Sequence, residues 1–349
     1  LEEEFDVKSR WTLCSLIALW GTLILIGCQK PSPDESPSDT TTTTKEQTQP
    51  EIAVVPKGVT HDFWLTVRAG ADKAGRETKV TIRWNGPQEE TRVKEQIDLI
   101  EDFINKGVSA IVMAACDKDA LVPTVKKALD KGIPVVTIDS GINAPDLENK
   151  VPLVATDNIE GARKAAQTLA ELVKDRGKVG LIPFIKGAAT SDQREKGFVD
   201  ELKNHPNVKL VSTLYSNSNI EEAMKKTEDM LTANPDLDGI FACNEPGVIG
   251  AARVLEQRGL AGKVKLVGFD ASEDEIKALQ KGTVQALIVQ NPFKMGEEGV
   301  NAAILLIAKQ ELPQMRVDTG VAVVTKENLN EPEVVKLVDP LGKLGLGKK

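Results

Sequence analysis

From Glu51 onward, short apolar runs bounded by Gly, Pro or Asp alternate with amphipathic stretches. IAVVP, VTIRW, AIVMAA and PVVTID come first; after a crossing at VPLVATD, the runs KVGLIPF, LVSTLYS, GIFAC, KLVGFD and ALIVQ follow. Apolar runs of about five residues separated by helical-period stretches predict parallel βαβ units. Helices are expected after Asp62, from Glu89 to Lys106, after Asp119 and after Pro292. Asn105-Lys106-Gly107 and Asp130-Lys131-Gly132 each place a basic residue and then Gly where a helix should stop. Pro134 and Pro292 fall at element starts, where a missing N–H costs nothing.

The pattern occurs twice. Residues 95 to 139 read as helix, strand, helix and strand ending at Asp139, and residues 221 to 270 repeat that order and end at Asp270. The middle strands match as well, since IVMAAC ends at Cys116 before Asp117 and IFAC ends at Cys243 before Asn244. In open parallel sheets ligands sit outside the carboxyl ends of strands, so a doubled unit ending in acid predicts two lobes facing one cleft. The expected fold class is α/β, with two doubly wound parallel-sheet lobes joined by a hinge. The first lobe takes residues 51–154 and 291–319, the second takes 155–290 and 320–326, and 327–349 form a loosely packed extension. The helix after Pro292 is expected to return the chain to the first lobe.

Composition narrows the function. The chain has 349 residues, 41% of them hydrophobic, enough for a sizeable core in two domains. A net charge of -8 and a pI near 5.2, with basic and acidic residues interspersed, provide no field for a phosphate backbone. Nucleic acid is therefore not an expected partner.

At the amino end, Lys8 and Arg10 precede an apolar run from Trp11 to Ile26, close to a signal-peptide core in length and short for a membrane span. It ends in Leu25-Ile26-Gly27-Cys28, which resembles a bacterial lipoprotein signal. That resemblance implies that residues 1–28 are a signal ending at Cys28, the lipidated new amino terminus. An uncleaved membrane anchor is the alternative, and both place the body outside the cytoplasmic membrane. Residues 29–50, rich in Thr, Ser, Pro and acid, are expected to be a flexible tether. Cys14 leaves with the signal, and Cys116 and Cys243 are expected as buried thiols, one in each lobe.

No P-loop, HExxH, CxxC or GxSxG pattern occurs, and His61 and His205 are the only histidines. His205, in KNHPNV, reads as a surface loop residue. A zinc site, a His-driven nucleophile and a catalytic function are not expected.

Against this background the first strand and helix (IAVVPKGVTHDFWLTVRAGADKAG), PVVTIDS, ATDN, SDQREKGF, LTANPDLDGIFACNE, VKLVGFD and ALIVQNPFKMGEEGV together resemble the bacterial type I periplasmic solute-binding proteins of the ribose-binding class. The resemblance runs from about Glu51 to Thr325. It implies a sugar held between the lobes by Phe63, Trp64, Asp139, Ser140, Arg194, Asn244, Asp270 and Gln290. Aromatic rings suit the C–H face of a pyranose, and carboxylates, a guanidinium and amides suit its hydroxyls. Lys57, His61, Trp84, Asp117 and Ser218 are further candidates. Ser140 stands where ribose binders carry an arginine, Asn217-Ser218-Asn219 lacks the aromatic expected there, and Trp84 is extra. A sugar other than ribose, or another polyol, fits these departures.

The resemblance also implies a membrane permease of an ABC importer as partner, a monomeric receptor, and no cofactor or metal. An autoinducer-2 receptor on the same fold is the nearest alternative, since IAVVPKG, WNGPQEET and Asp139-Ser140 also look like that branch, with Lys57 as its ligand contact. A lactose-repressor-type regulator shares the core but would carry a DNA-binding module where this chain has its signal and tether.

Overall fold

The computed structural model describes residues 49–346, so the signal-like run, Cys28 and nearly all of the tether lie outside the described residues. Two six-stranded sheets organise the chain. The first contains β1 (Glu51–Val55), β2 (Thr81–Trp84), β3 (Ala110–Met113), β4 (Val135–Ile138), β5 (Leu153–Ala155) and β11 (Arg316–Asp318). The second contains β6 (Gly177–Ile182), β7 (Val208–Thr213), β8 (Gly239–Ala242), β9 (Lys265–Phe269), β10 (Ala286–Val289) and β12 (Ala322–Val324). Their orders are β11-β5-β4-β3-β1-β2 and β12-β10-β9-β8-β6-β7. The doubled pattern is therefore a doubled topology, with β3 matching β8 and β4 matching β9. All pairs are parallel except β10 with β12.

Helices cover both faces of each sheet, and for that reason the central strands are almost wholly apolar; every residue of β3, β4, β8 and β10 is buried. The first lobe carries α1 (Asp62–Thr78), α2 (Val93–Lys106), α3 (Val122–Asp130) and α9 (Pro292–Ile307). The second carries α4 (Asn158–Leu172), α5 (Ala189–Leu202), α6 (Ile220–Ala233), α7 (Glu245–Gln257), α8 (Glu273–Lys281) and α10 (Pro332–Val338). Gly107 ends α2 at φ 70° and Gly132 follows α3 at φ 74°, a left-handed conformation that spares a Cβ clash. Among the described residues no helix is long and apolar enough to cross a membrane.

The chain passes between the sheets three times, after β5, after β10 and between β11 and β12. Two of these crossings are tied side by side, with the hydroxyls of Thr156 and Thr319 3.2 Å apart.

Two elements differ from their sequence expectation. The helix expected from Glu89 starts at Val93, because residues 89 to 92 form a turn closed by Arg92 N donating to Glu89 O. The helix expected after Asp119 does follow it, starting at Val122 past a turn that Asp117 Oδ1 holds by accepting from the Asp119 and Ala120 amides. The extension expected to be loose is packed: Val334, Leu337 and Val338, spaced as one helix face, lie on the second lobe's core, and Leu329 and Val338 are buried in it.

The return helix α9 packs along α1 through paired glycines. A Cβ on Gly296 would lie 1.9 Å from Val67 O, and one on Gly70 would lie 1.9 Å from Phe293 O. Gly296→Ala is expected to push the two helices apart and destabilise the protein by about 1–3 kcal/mol, the usual cost of overpacking. A urea melt reads this directly, and an unchanged midpoint would show that the helices slide to make room.

Candidate functional site

The polar residues of interest gather where the two sets of strand ends face one another. From the first lobe come Lys57 after β1, His61, Phe63 and Trp64 at the start of α1, Glu90 in the turn before α2, and Asp139 after β4. From the second come Phe184 after β6, Thr190 and Arg194 on α5, Asn244 and Glu245 at the start of α7, Asp270 after β9 and Gln290 after β10. Together they line one cavity between the two sets of strand ends.

Asp139 and Asp270 occupy equivalent strand ends and both have positive φ, 54° and 91°. Such a conformation costs an L residue on the order of 1–3 kcal/mol and concentrates at sites where side-chain direction matters. Here it turns both carboxylates into the cleft. Lys57 Nζ lies 2.8 Å from Asp139 Oδ2, donates to Thr190 Oγ1 across the lobes at 3.1 Å, and sits 5.5 Å from the ring centres of Trp64 and Phe184. Burial alone would lower the Lys57 pKa, but the charges of Asp139 and Glu90 outweigh it and raise the value.

Glu90 is the hub of a second network. Trp64 Nε1 donates to its Oε1 at 2.8 Å, Ser218 Oγ of the other lobe donates to its Oε2 at 2.9 Å, and His61 Nδ1 lies 3.7 Å away. Burial pushes this carboxyl up, yet the Lys57 ammonium, His61 and Trp64 together hold it well below the usual carboxylate range. Reciprocally, the His61 pKa is raised: burial lowers it, and Glu90 beside it more than offsets that.

On the opposite side, Arg194 is nearly fully buried. Its Nε donates to Asn158 Oδ1 at 2.8 Å, one terminal nitrogen donates to Cys243 O at 2.7 Å, and its plane lies 3.6 Å from the Phe269 ring centre. Two of the five guanidinium donors are thereby used. Asp270 accepts from Gln290 Nε2 at 2.6 Å and from Glu245 N at 3.0 Å. Its pKa is raised, because burial outweighs the opposing pull of Arg194.

Glu245 completes the cleft by capping a helix of the other lobe. His61 stands at the N-cap of α1 without a capping bond, and the Asp62 and Phe63 amides instead donate to Glu245 Oε1 and Oε2 at 3.1 and 3.0 Å. A carboxylate at a helix amino end is favoured by its free N–H groups and dipole. Burial pushes the Glu245 pKa up to about 7 against the pull of His61 and those amides.

The candidate residues divide accordingly. Phe63, Trp64, Asp139, Arg194, Asn244, Asp270 and Gln290, with Lys57 and His61, line one cavity. Asn244 has both amide ends engaged, accepting from Gly247 N and donating to Ser218 Oγ. Ser218 belongs to the network around Glu90 and does not line the cavity. Three more candidates fall outside the cavity: Trp84 packs on the first lobe's apolar cluster at the end of edge strand β2, Asp117 holds the turn before α3, and Ser140 is buried with no partner for its hydroxyl among the described residues. Five lining residues, Glu90, Phe184, Thr190, Glu245 and Pro246, went unnoticed in the sequence. An acid at a helix start such as Glu245 reads as an ordinary first-turn residue, and only its place directly after a strand end hinted at more. Cys116 and Cys243 are both buried and free, and His205 is bonded to Asp175 on the surface.

A model of the periplasmic binding protein domain matches residues 52–311. The chain belongs to the periplasmic binding protein family. A D-ribose/D-allose-binding protein of Pseudomonas aeruginosa is 35% identical over 285 residues, 79% of this chain and 89% of that protein. Among solved structures, a solute-binding protein of an ABC transporter from Agrobacterium vitis, with bound D-fucose, is similar at 39% identity and a TM-score of 0.80, over 82% of this chain and 99% of that one. A carbohydrate-transporter solute-binding protein from Agrobacterium radiobacter in complex with D-arabinose gives 31% identity and a TM-score of 0.81, over 84% and 100%. In this periplasmic binding protein the two lobes meet through direct bonds on several sides of the cavity, Lys57 to Thr190, Ser218 to Glu90, the α1 amides to Glu245, and an ion pair between Lys118 and Asp192.

These shifts set a pH profile. An acid raised on folding adds stability below its unfolded pKa and loses it as pH climbs through the folded value. The contribution of Glu245 is thus complete below about 4.5 and gone above about 7. His61, raised from 6.5, is likewise lost on the alkaline side. Glu90, lowered from 4.5, adds stability above that pH and loses it as pH falls. Thermal melts should therefore peak at about pH 4.5 and fall as pH climbs toward about 7, and Glu245→Gln should flatten the alkaline limb. An unchanged limb in that variant would show that Glu245 does not titrate there.

Proposed function

We propose that this chain is the extracytoplasmic sugar-binding receptor of an ABC importer and holds a neutral monosaccharide between its lobes. The observation that carries this reading is the cavity itself, in which two strand-end aspartates, an arginine and two aromatic side chains converge from both lobes. A pyranose ring presents C–H groups that suit Phe63 and Trp64 and hydroxyls that suit Asp139, Asp270 and Arg194. The known relatives named above support a sugar as the ligand class.

In this reading the three crossings act as a hinge. A ligand touching both lobes favours the closed arrangement, because it has contacts there that the open one lacks. The direct bonds between the lobes add to that preference, and the permease would recognise the closed form. The body would be tethered through residues 29–50 to a lipid on Cys28, with domain limits as read from the sequence. The place of Lys57 in the cavity adds to the sequence likeness in favour of an autoinducer-2 receptor, so that compound belongs in any ligand panel.

A thermal-shift screen of pentoses, hexoses, deoxy sugars, polyols and autoinducer-2 tests the reading, since ligand at 100 times its Kd adds about 2.7 kcal/mol. Calorimetry on the tightest binder should then show Asp270→Ala and Arg194→Ala each weakening it by about 2–5 kcal/mol, the cost of leaving a buried charge unpaired. Stabilisation by autoinducer-2 alone would overturn the sugar reading, and full affinity in both variants would overturn the site.

A further inference from the structure

The inner cavity has a neighbour. A second cavity meets it at Phe63, Glu245, Asp270 and Gln290, which line both. Its outer wall is Leu337, Val338 and Pro340, from α10 and the turn after it. That wall lies beyond residue 311, where the family match ends, and it stands across from Asp62 and Thr66 on α1 of the other lobe. The packed extension thus makes a compartment out of what would otherwise be the open flank of the cleft.

The boundary between the two cavities carries an unmet hydrogen-bond demand. Gln290 is only 2% exposed; its Nε2 is committed to Asp270 Oδ1, and its Oε1 is a buried acceptor with no partner among the described residues. A buried acceptor left alone costs about 1–3 kcal/mol, so such an atom marks a place where a donor is expected. The second cavity is apolar on the side of the extension and acidic on the side of Asp62, Glu245 and Asp270.

We propose that this second cavity is a subsite for the second ring of a glycosidically linked sugar, so that the receptor accepts a neutral disaccharide as well as a monosaccharide. The inference rests on the reading of the inner cavity as a sugar site. A second pyranose would lay its C–H face on Leu337 and Pro340 and donate a hydroxyl to Gln290 Oε1. Acidic disaccharides are rejected, because their carboxylate would meet Asp62, Glu245 and Asp270.

Thr66 lines the second cavity and not the inner one, which makes it the position to fill. The full chain is titrated by calorimetry with the tightest monosaccharide of the screen and with its glucosyl disaccharides. At least one disaccharide should bind within tenfold of the monosaccharide. Thr66→Phe should weaken that disaccharide at least tenfold and leave the monosaccharide unchanged, while Thr66→Ala should change neither. If the monosaccharide binds and no disaccharide does, or if Thr66→Phe weakens both alike, the subsite is overturned and the receptor reading stands. If no sugar of either size binds, both fall.

Discussion

Lys57 places a buried ammonium 2.8 Å from Asp139 and in the field of Glu90, and a charge so far from water is tolerable only where its partners are fixed in place. Much of the cleft follows from fixing them. Asp139 is aimed by a left-handed backbone at its strand end, and Glu90 is held by Trp64, His61 and Ser218. On the far side Arg194 pulls on the charge of Asp270 while it lies on Phe269 and is anchored by Asn158 and the Cys243 carbonyl. The result is a polar cavity of nearly balanced charge, suited to a neutral ligand with many hydroxyls.

The same groups join the lobes. Glu245 of the second lobe serves as the missing cap of α1 in the first, and Ser218 and Thr190 each reach a charged residue across the cleft. Charge balance and lobe closure are therefore coupled: separating the lobes would strip Glu90, Lys57 and Glu245 of partners and return them to water. Burial that raises the Glu245 pKa toward 7 is the electrostatic trace of that coupling.

The extension adds a part that the doubled core does not need. The segment around α10 completes the hydrophobic surface of the second lobe with Leu329 and Val338 and presents Leu337 and Pro340 to the cleft. Its packing also explains why Leu65 on α1 and Leu341 after α10, two large exposed apolar residues, face one shared surface cavity from opposite lobes.

Periodicity made the doubled α/β architecture legible, because a parallel sheet covered on both faces demands continuous apolar strands, and strand-end acids stand out against them. The aspartates at 139 and 270, the aromatic pair, Arg194 and Gln290 could be read for that reason, together with their likeness to ribose-class proteins. Trp84 and Ser140 stand at strand ends as well, but strand order puts Trp84 on an edge, and Ser140 turns into the interior. Glu90 and Glu245 could not be distinguished from ordinary loop and helix-start acids until the two lobes were brought together. Local pattern determines which residues form strands and helices and where the carboxyl ends lie; the partner of each buried charge, and the wall the extension makes beside the cleft, are settled only when segments from different elements pack together and exclude water between them.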